Sequence, residues 1–530
     1  MQSKQTNVWD PMVDSDHYRN PIISADYSDP DVLAIDDDYY MVASSFNHIP
    51  GLPLLHSNDL VHWQLINHVI ENYANQDYTQ PQFGCGAWAP SIRFHDGLFW
   101  VFFAIVDEGI FQCHSSTIEG RWSEPHCVVQ AKGWIDPCPF WDDDGRAWLV
   151  HAFAHSRSGI KHRLQLCEMA PDATQLYEFK SIVYDGAVDA PTIEGPKVYK
   201  RQGDYYIFAP AGGVESGWQC VLRAKAITGP YQLKIALQQA DSNTNGPHQG
   251  GWVHTCFGED WFIHFQDKGY LGRVVHLEPM HWDNDGWPVI GQSVTYYGMP
   301  TGQPVSCYRK PKSDYAVEGD LLALDDDFKS HSLNLLWQWQ ANVQLNWYRL
   351  NGDGLQLNVQ RMPLRDGQFS IYDASNLLLA KFPAPQFVAT TALYENFSEN
   401  SDMAGLIVYG LRYAALALQQ IHGRRTLVFL SGWLSDSNVL HTRIQEIMPW
   451  PDKSISLCVR QVDSLCWFGY RKVGEPDYQF LDNPFACSAG KWVGAKLGLF
   501  ALSEAPNSQG YGLFEHFRIS RITANRLNES

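Results

Sequence analysis

A chain of 530 residues has room for two or more domains, and 45% hydrophobic with 18% charged residues marks it as globular rather than disordered. The formal charge of −19, from 58 acidic against 39 basic residues, excludes nucleic acid and anionic membrane as partners and argues against a polyanionic substrate. The 11 cysteines are scattered singly without a C-x-x-C pair, so neither a zinc site nor a disulfide framework is expected, and a cytoplasmic location fits. The N-terminus lacks the apolar core of a signal peptide, and the longest apolar run, Leu98 to Val106, is too short to span a bilayer.

Residues 1–20 read as a leader into a repeat. The run SDPDVLAIDDDYYMVAS, opening on Asp29-Pro30-Asp31-Val32, reads as strand, turn, strand, with Pro30 tolerated where the first strand begins. The pattern recurs after Ala89-Pro90, Asp136-Pro137 and Gly195-Pro196, and more loosely from His248 through QGGWVHTCFGEDWFIHF. The four prolines lie 60, 47 and 59 residues apart, and an aromatic or apolar pair follows each by nine or ten residues. Repeats of roughly 40–60 residues built from short strands and tight turns mark β-propeller blades. Five blades are expected within residues 1–300.

The innermost strand of every blade starts near the propeller axis, so equivalent repeat positions converge in space. Asp29, Trp88, Asp136 and Glu194 stand at or just before the repeat's proline, and His248 joins them by analogy. Singly, each has a bland explanation: an Asp before Pro caps a turn, a Trp or His fills a core. Three carboxylates around one axis are too costly to bury as packing alone. Arg273, inside the apolar strand of GYLGRVVHLEP, needs a carboxylate or a ligand. Phe46, in SSFNHIPG, is on its own equally explained as core.

Residues 301–320 are rich in Pro, Gly and Lys and read as a linker. From Leu321 to Ser530, segments such as FVATTALYENF, AGLIVYGLRYAALAL and SISLCVRQ alternate without the X-Pro repeat, as in an antiparallel β-sandwich. The expected fold class is all-β: propeller, then sandwich.

The set SDPDV, GAWAPSI, WIDPCPF, TIEGPKVY, GPHQGGWV and LGRVVHL resembles glycoside hydrolase family 43. DDFKSHSLNLLWQW and AGLIVYG are similar to the C-terminal sandwich of its β-xylosidase members, so the resemblance covers nearly the whole chain. It implies Asp29 as general base, Glu194 as general acid, and Asp136 as the residue that orients Glu194 and tunes its proton affinity. Arg273, Trp88, Phe46 and His248 would bind substrate. His248 also matches an axial histidine that in some members ligates Ca2+ directly or through water, so the resemblance implies room for one calcium on the axis and no organic cofactor. The NDPNG, RDP and ECP motifs of related sucrose- and fructan-acting propellers are absent.

The implied activity is exo-acting, inverting removal of xylose from short β-1,4-xylo-oligosaccharides. An α-L-arabinofuranosidase is the alternative, because the two sugars present similar hydroxyl patterns. A non-catalytic sugar-binding propeller is disfavoured, since binding alone does not require three carboxylates. The partner is a small oligosaccharide, and homo-oligomerisation is left open.

Overall fold

The computed structural model of the protein describes residues 8–315, 322, 324–435 and 437–522. The start of the expected leader (1–7) and positions 316–321 and 323 around the expected linker lie outside the described residues. Five four-stranded antiparallel sheets follow one another in chain order. Their innermost strands are Asp31–Ile35, Ala87–His95, Trp134–Trp141, Lys197–Arg201 and His248–His254. Each sequence repeat is one blade of a five-bladed propeller.

The repeat's two landmarks have separate physical jobs. The aromatic or apolar pair opens the second strand and fills the space between blades: Tyr39, Phe99, Trp100, Trp148 and Tyr206 are all buried. The residue before the proline, and Gln249 before Gly250 in the proline-free fifth repeat, is a pivot. Asp29, Ala89, Asp136 and Gln249 take left-handed φ values of 54, 38, 56 and 41°, and Gly195 one of 57°. A non-glycine residue held there costs about 1–3 kcal/mol. In blades two, three and five the ladder register slips at the pivot, and such bulges re-aim side chains. Here they turn residues at the strand heads toward the axis.

The leader segment closes the ring. Ile23 and Val275 exchange backbone hydrogen bonds at 3.3 and 3.0 Å, and the Tyr18 hydroxyl donates to Leu277 O at 2.7 Å, so residues before blade one run along blade five. Part of the stretch read as linker is strand: Cys307–Arg309 pairs with His17–Arg19. Strands this short leave no alternation to read.

Residues 325–520 form two packed sheets of nine and eight strands. Gln386–Asn396, Ser454–Val462 and Tyr511–Ser520 lie in one; Met403–Tyr409, Arg412–Ile421, Arg424–Leu434 and Lys496–Ser503 lie in the other. The sandwich is fastened to the propeller beside the axis. Ile49 and Trp339 exchange backbone hydrogen bonds, Asn342 does the same with Tyr73 through its amide, and Leu271 and Val274 of blade five belong to the sandwich's own apolar cluster.

Candidate active site

Asp29 heads blade one, buried, with its carboxylate fixed from three directions. Its Oδ2 accepts from the hydroxyls of Ser28 at 2.7 Å and Ser44 at 2.6 Å, and its Oδ1 faces Arg273 Nη1 at 3.0 Å. Arg273 opens the strand Arg273–Trp282 of blade five, where its guanidinium lies 4.9 Å over the Phe265 ring. Its backbone N–H donates to Asp26 Oδ1 at 2.9 Å. The arginine inside an apolar strand thus has its carboxylate, and that carboxylate is Asp29.

Across the axis, Asp136 of blade three accepts the Gly195 N–H on Oδ2 at 2.8 Å. That bond fixes the backbone beside Glu194. Burial first, and then the negative charges of Glu194 and Asp29, push the Asp136 carboxyl well above the usual carboxylate range. The two forces that oppose this are the Gly195 N–H and the Lys197 ammonium. Lys197 is itself fully buried, donating from Nζ to Pro90 O at 2.9 Å and Ser91 Oγ at 2.7 Å. Glu194 is the open member of the group, with 31% of its side chain exposed. Its Oε1 pairs with His248 Nε2 at 2.9 Å.

Aromatic rings wall this polar centre. Phe46, in a left-handed φ of 53°, meets Trp88 edge-on at 6.0 Å. Trp88 in turn lies 6.5 Å from Trp492, and Trp492 lies 5.9 Å from the Arg273 guanidinium. Trp492 belongs to the sandwich. Its loop is anchored by the Gly494 N–H, which donates to Asp26 Oδ2 at 3.0 Å. Asp26 therefore holds both the arginine strand and the loop of the second domain.

Three carboxyls from three blades, one facing an arginine and one protonation-biased by its neighbours, are the equipment of acid–base bond cleavage. The profile of Glycosyl hydrolases family 43 matches residues 18–288, and that of the Beta xylosidase C-terminal Concanavalin A-like domain matches residues 325–520. The chain belongs to glycoside hydrolase family 43. It is 35% identical over 489 residues to a putative beta-xylosidase of Xylanibacter ruminicola, covering 91% of this chain and 85% of that one. A non-reducing end alpha-L-arabinofuranosidase of Bacteroides ovatus is 30% identical over 422 residues, covering 74% and 73%. A solved family 43 protein from Bacillus licheniformis superposes with a TM-score of 0.82 at 23% identity, over 96% of this chain and all of that one.

This glycosidase gathers all seven residues singled out in the sequence around one axis. The imidazole, 1% exposed, is engaged by Glu194 through Nε2, and its buried Nδ1 has no hydrogen-bond partner among the described residues. Calcium takes six to eight oxygen ligands. His248 offers one nitrogen, and the only group of three clustered metal-binding side chains among the described residues does not include it. An ion beside His248 would therefore take most of its ligands from water, with the imidazole as the protein's contribution, and none of the chemistry below is routed through one.

Five residues of the site, Ser28, Ser44, Lys197, Asp26 and Trp492, were missed by sequence reasoning. Lys197 left a signal, a lysine opening a strand beside the buried Val198, and Ser28 and Ser44 left little, being small polar residues outside the strands. Trp492 left none, because its role exists only once the second domain docks, and Asp26 left none, because its partners, Arg273 and Gly494, lie 247 and 468 residues away.

Proposed function

We propose that this family 43 enzyme removes xylose from the non-reducing end of short β-1,4-xylo-oligosaccharides by single displacement with inversion. Asp29, oriented by Arg273, Ser28 and Ser44, takes a proton from the attacking water. Glu194, the more exposed of the two neighbouring carboxyls, delivers a proton to the departing oxygen. His248 fixes the Glu194 carboxyl, and Asp136 fixes its backbone through Gly195. Each proton transfer is worth roughly 10²–10⁴-fold in rate. The observation that carries this reading is the Asp136 carboxyl, fixed on the Gly195 N–H and raised first by burial and then by the charges of Glu194 and Asp29, which brings the three groups into one electrostatic unit. The rings of Phe46, Trp88 and Trp492 support an enclosed pocket for a terminal sugar rather than an open cleft for polymer. Xylose is favoured over arabinose by the relatives named beta-xylosidase that cover nearly the whole chain.

The second reading, an α-L-arabinofuranosidase, is favoured by the relative of that name from Bacteroides ovatus. Rates on nitrophenyl xyloside and arabinofuranoside separate the two, and no release from either would leave a sugar-binding protein. Proton NMR of the first product from a β-xyloside tests the chemistry. The α-anomer is expected, since water attacks opposite the leaving group; the β-anomer appearing first would overturn the assignment.

A further inference from the structure

Blade five carries a second constellation that the sugar chemistry does not use. His264 lies on the strand Asp260–Asp267, and His276 and Glu278 lie on its neighbour, Arg273–Trp282. His264 and His276 are register partners and Glu278 is two residues further on. Strand alternation therefore puts all three on one face of the hairpin. They are 0, 2 and 0% exposed, and one ligand atom from each lies within 4.8 Å of the others.

The hydrogen bonds around them leave a gap that a positive charge would fill. His264 Nδ1 sits 3.0 Å from Phe265 O, and since a carbonyl only accepts, that nitrogen carries the proton. In the neutral ring Nε2 is then a bare lone pair, and it points at Glu278 Oε1 from 3.3 Å. Two acceptors do not face each other in a dry interior unless a proton or a cation lies between them. Glu278 is held in place from behind, by Asn20 Nδ2 on Oε1 at 3.2 Å and the Val305 N–H on Oε2 at 2.8 Å. A backbone carbonyl on the far nitrogen of a histidine and hydrogen bonds on the carboxylate are the usual support of metal ligands. The second histidine is more telling. His276 stacks on His264 at 5.2 Å, yet neither of its nitrogens has a hydrogen-bond partner among the described residues. Buried polar side chains are rarely left so.

We propose that His264, His276 and Glu278 form a structural site for a divalent cation of the zinc class. Two imidazoles and one carboxylate suit a tetrahedral nitrogen–oxygen site, whereas calcium and magnesium require a shell of six or more oxygens. With bonds of about 2.0–2.1 Å, two tetrahedral ligands stand roughly 3.4 Å apart, close to the 3.3 Å between His264 Nε2 and Glu278 Oε1. The wider separation closes by rotation of His276, which no hydrogen bond restrains. The cysteine pattern gave no hint of zinc because these ligands are not thiolates. Glu278 also bonds Asn20, ahead of blade one, and Val305, beyond blade five. An ion here pins the closure of the ring.

The full-length protein, refolded after chelation with and without added Zn2+, tests this. One zinc ion per chain should survive gel filtration by elemental mass spectrometry, and Tm should rise by roughly 5–10 °C. Refolding with Co2+ should give the intense visible absorption of a tetrahedral centre in the wild-type chain, which needs no variant to fold. His276→Phe and Glu278→Gln should each lose the bound ion and the Tm response. A wild-type protein that retains no stoichiometric metal and melts identically in both preparations would overturn the proposal, leaving a proton between His264 and Glu278. Metal retained at full stoichiometry by both variants would overturn it equally. Neither result touches the glycosidase assignment, which is read from anomer and rate.

Discussion

The acid and the base differ in what the leaving group asks of them. Glu194 protonates the departing oxygen, so its value depends on how poor that group is; Asp29 activates water, which every substrate needs. Glu194→Ala should lose roughly 10²–10⁴-fold on xylobiose but far less on an aryl xyloside, while Asp29→Ala should fail on both alike. Steady-state rates on the two substrates decide this, and equal losses for Glu194→Ala would remove it as the acid. Asp136 exposes the tension between this function and stability. Its carboxyl is held well above the usual range by burial and by its two acidic neighbours. As pH rises past the ordinary carboxyl value, the unfolded chain sheds this proton while the folded chain keeps it. The folded state then binds more protons, so stability falls with rising pH. Asp136→Asn keeps an oxygen for the Gly195 N–H and removes that penalty. Its Tm should exceed wild type near about pH 7, with the gain vanishing below about pH 4, while activity drops as in a partial Glu194 defect. A Tm equal to wild type across that span would show the penalty to be absent.

At the scale of the element, the active site is a property of the pivots. Five inner strands each spend one left-handed residue to aim their heads inward, and the X-Pro repeat is how that geometry appears in sequence. This is why the propeller and its carboxylates were legible: the repeat fixes both blade and position. It is also why the positions split between two places, with Asp29 and Asp136 at the pivot and Glu194, Trp88 and His248 one residue ahead. What could not be read was contact between distant parts, such as Trp492 against Trp88, or the three-residue strand Cys307–Arg309. Neither carries a local period. Gly86 shows how little slack the aiming has. It takes a φ of 86°, and a Cβ there would run into the carbonyl of Phe46, which also accepts from the Tyr73 hydroxyl. Gly86→Ala must displace Phe46 from the wall of the pocket. We expect a Tm several degrees lower and a KM raised about tenfold; unchanged KM would show that Phe46 does not line the sugar site.

At the scale of the whole molecule, the sandwich completes both the fold and the pocket. Val274 and Leu271 of blade five share its apolar cluster, and its loop brings Trp492 to the rim. Deleting residues 321–530 should therefore yield insoluble or inactive propeller, and a soluble, fully active truncation would show the domains to be independent. The seam between them carries an electrostatic load of its own. Lys381 and Lys496 are direct partners across the strand ladder, and Lys496 is buried. Burial, and then the charge of Lys381, push the Lys496 ammonium down to about 7, with Asp26 opposing. The unfolded chain keeps this proton up to the ordinary lysine value of 10.5, whereas the folded chain sheds it above about 7. Between those limits the unfolded state binds more protons, so stability climbs with pH, and below about pH 7 the full cost of the buried charge is present. Lys496→Met keeps the aliphatic stem and removes the charge. The variant should melt several degrees above wild type near about pH 6, with the difference fading toward about pH 10. Calorimetric scans of the two proteins across that range check it. A destabilised variant at every pH would mean that the ammonium is balanced in the seam and contributes to holding the domains together.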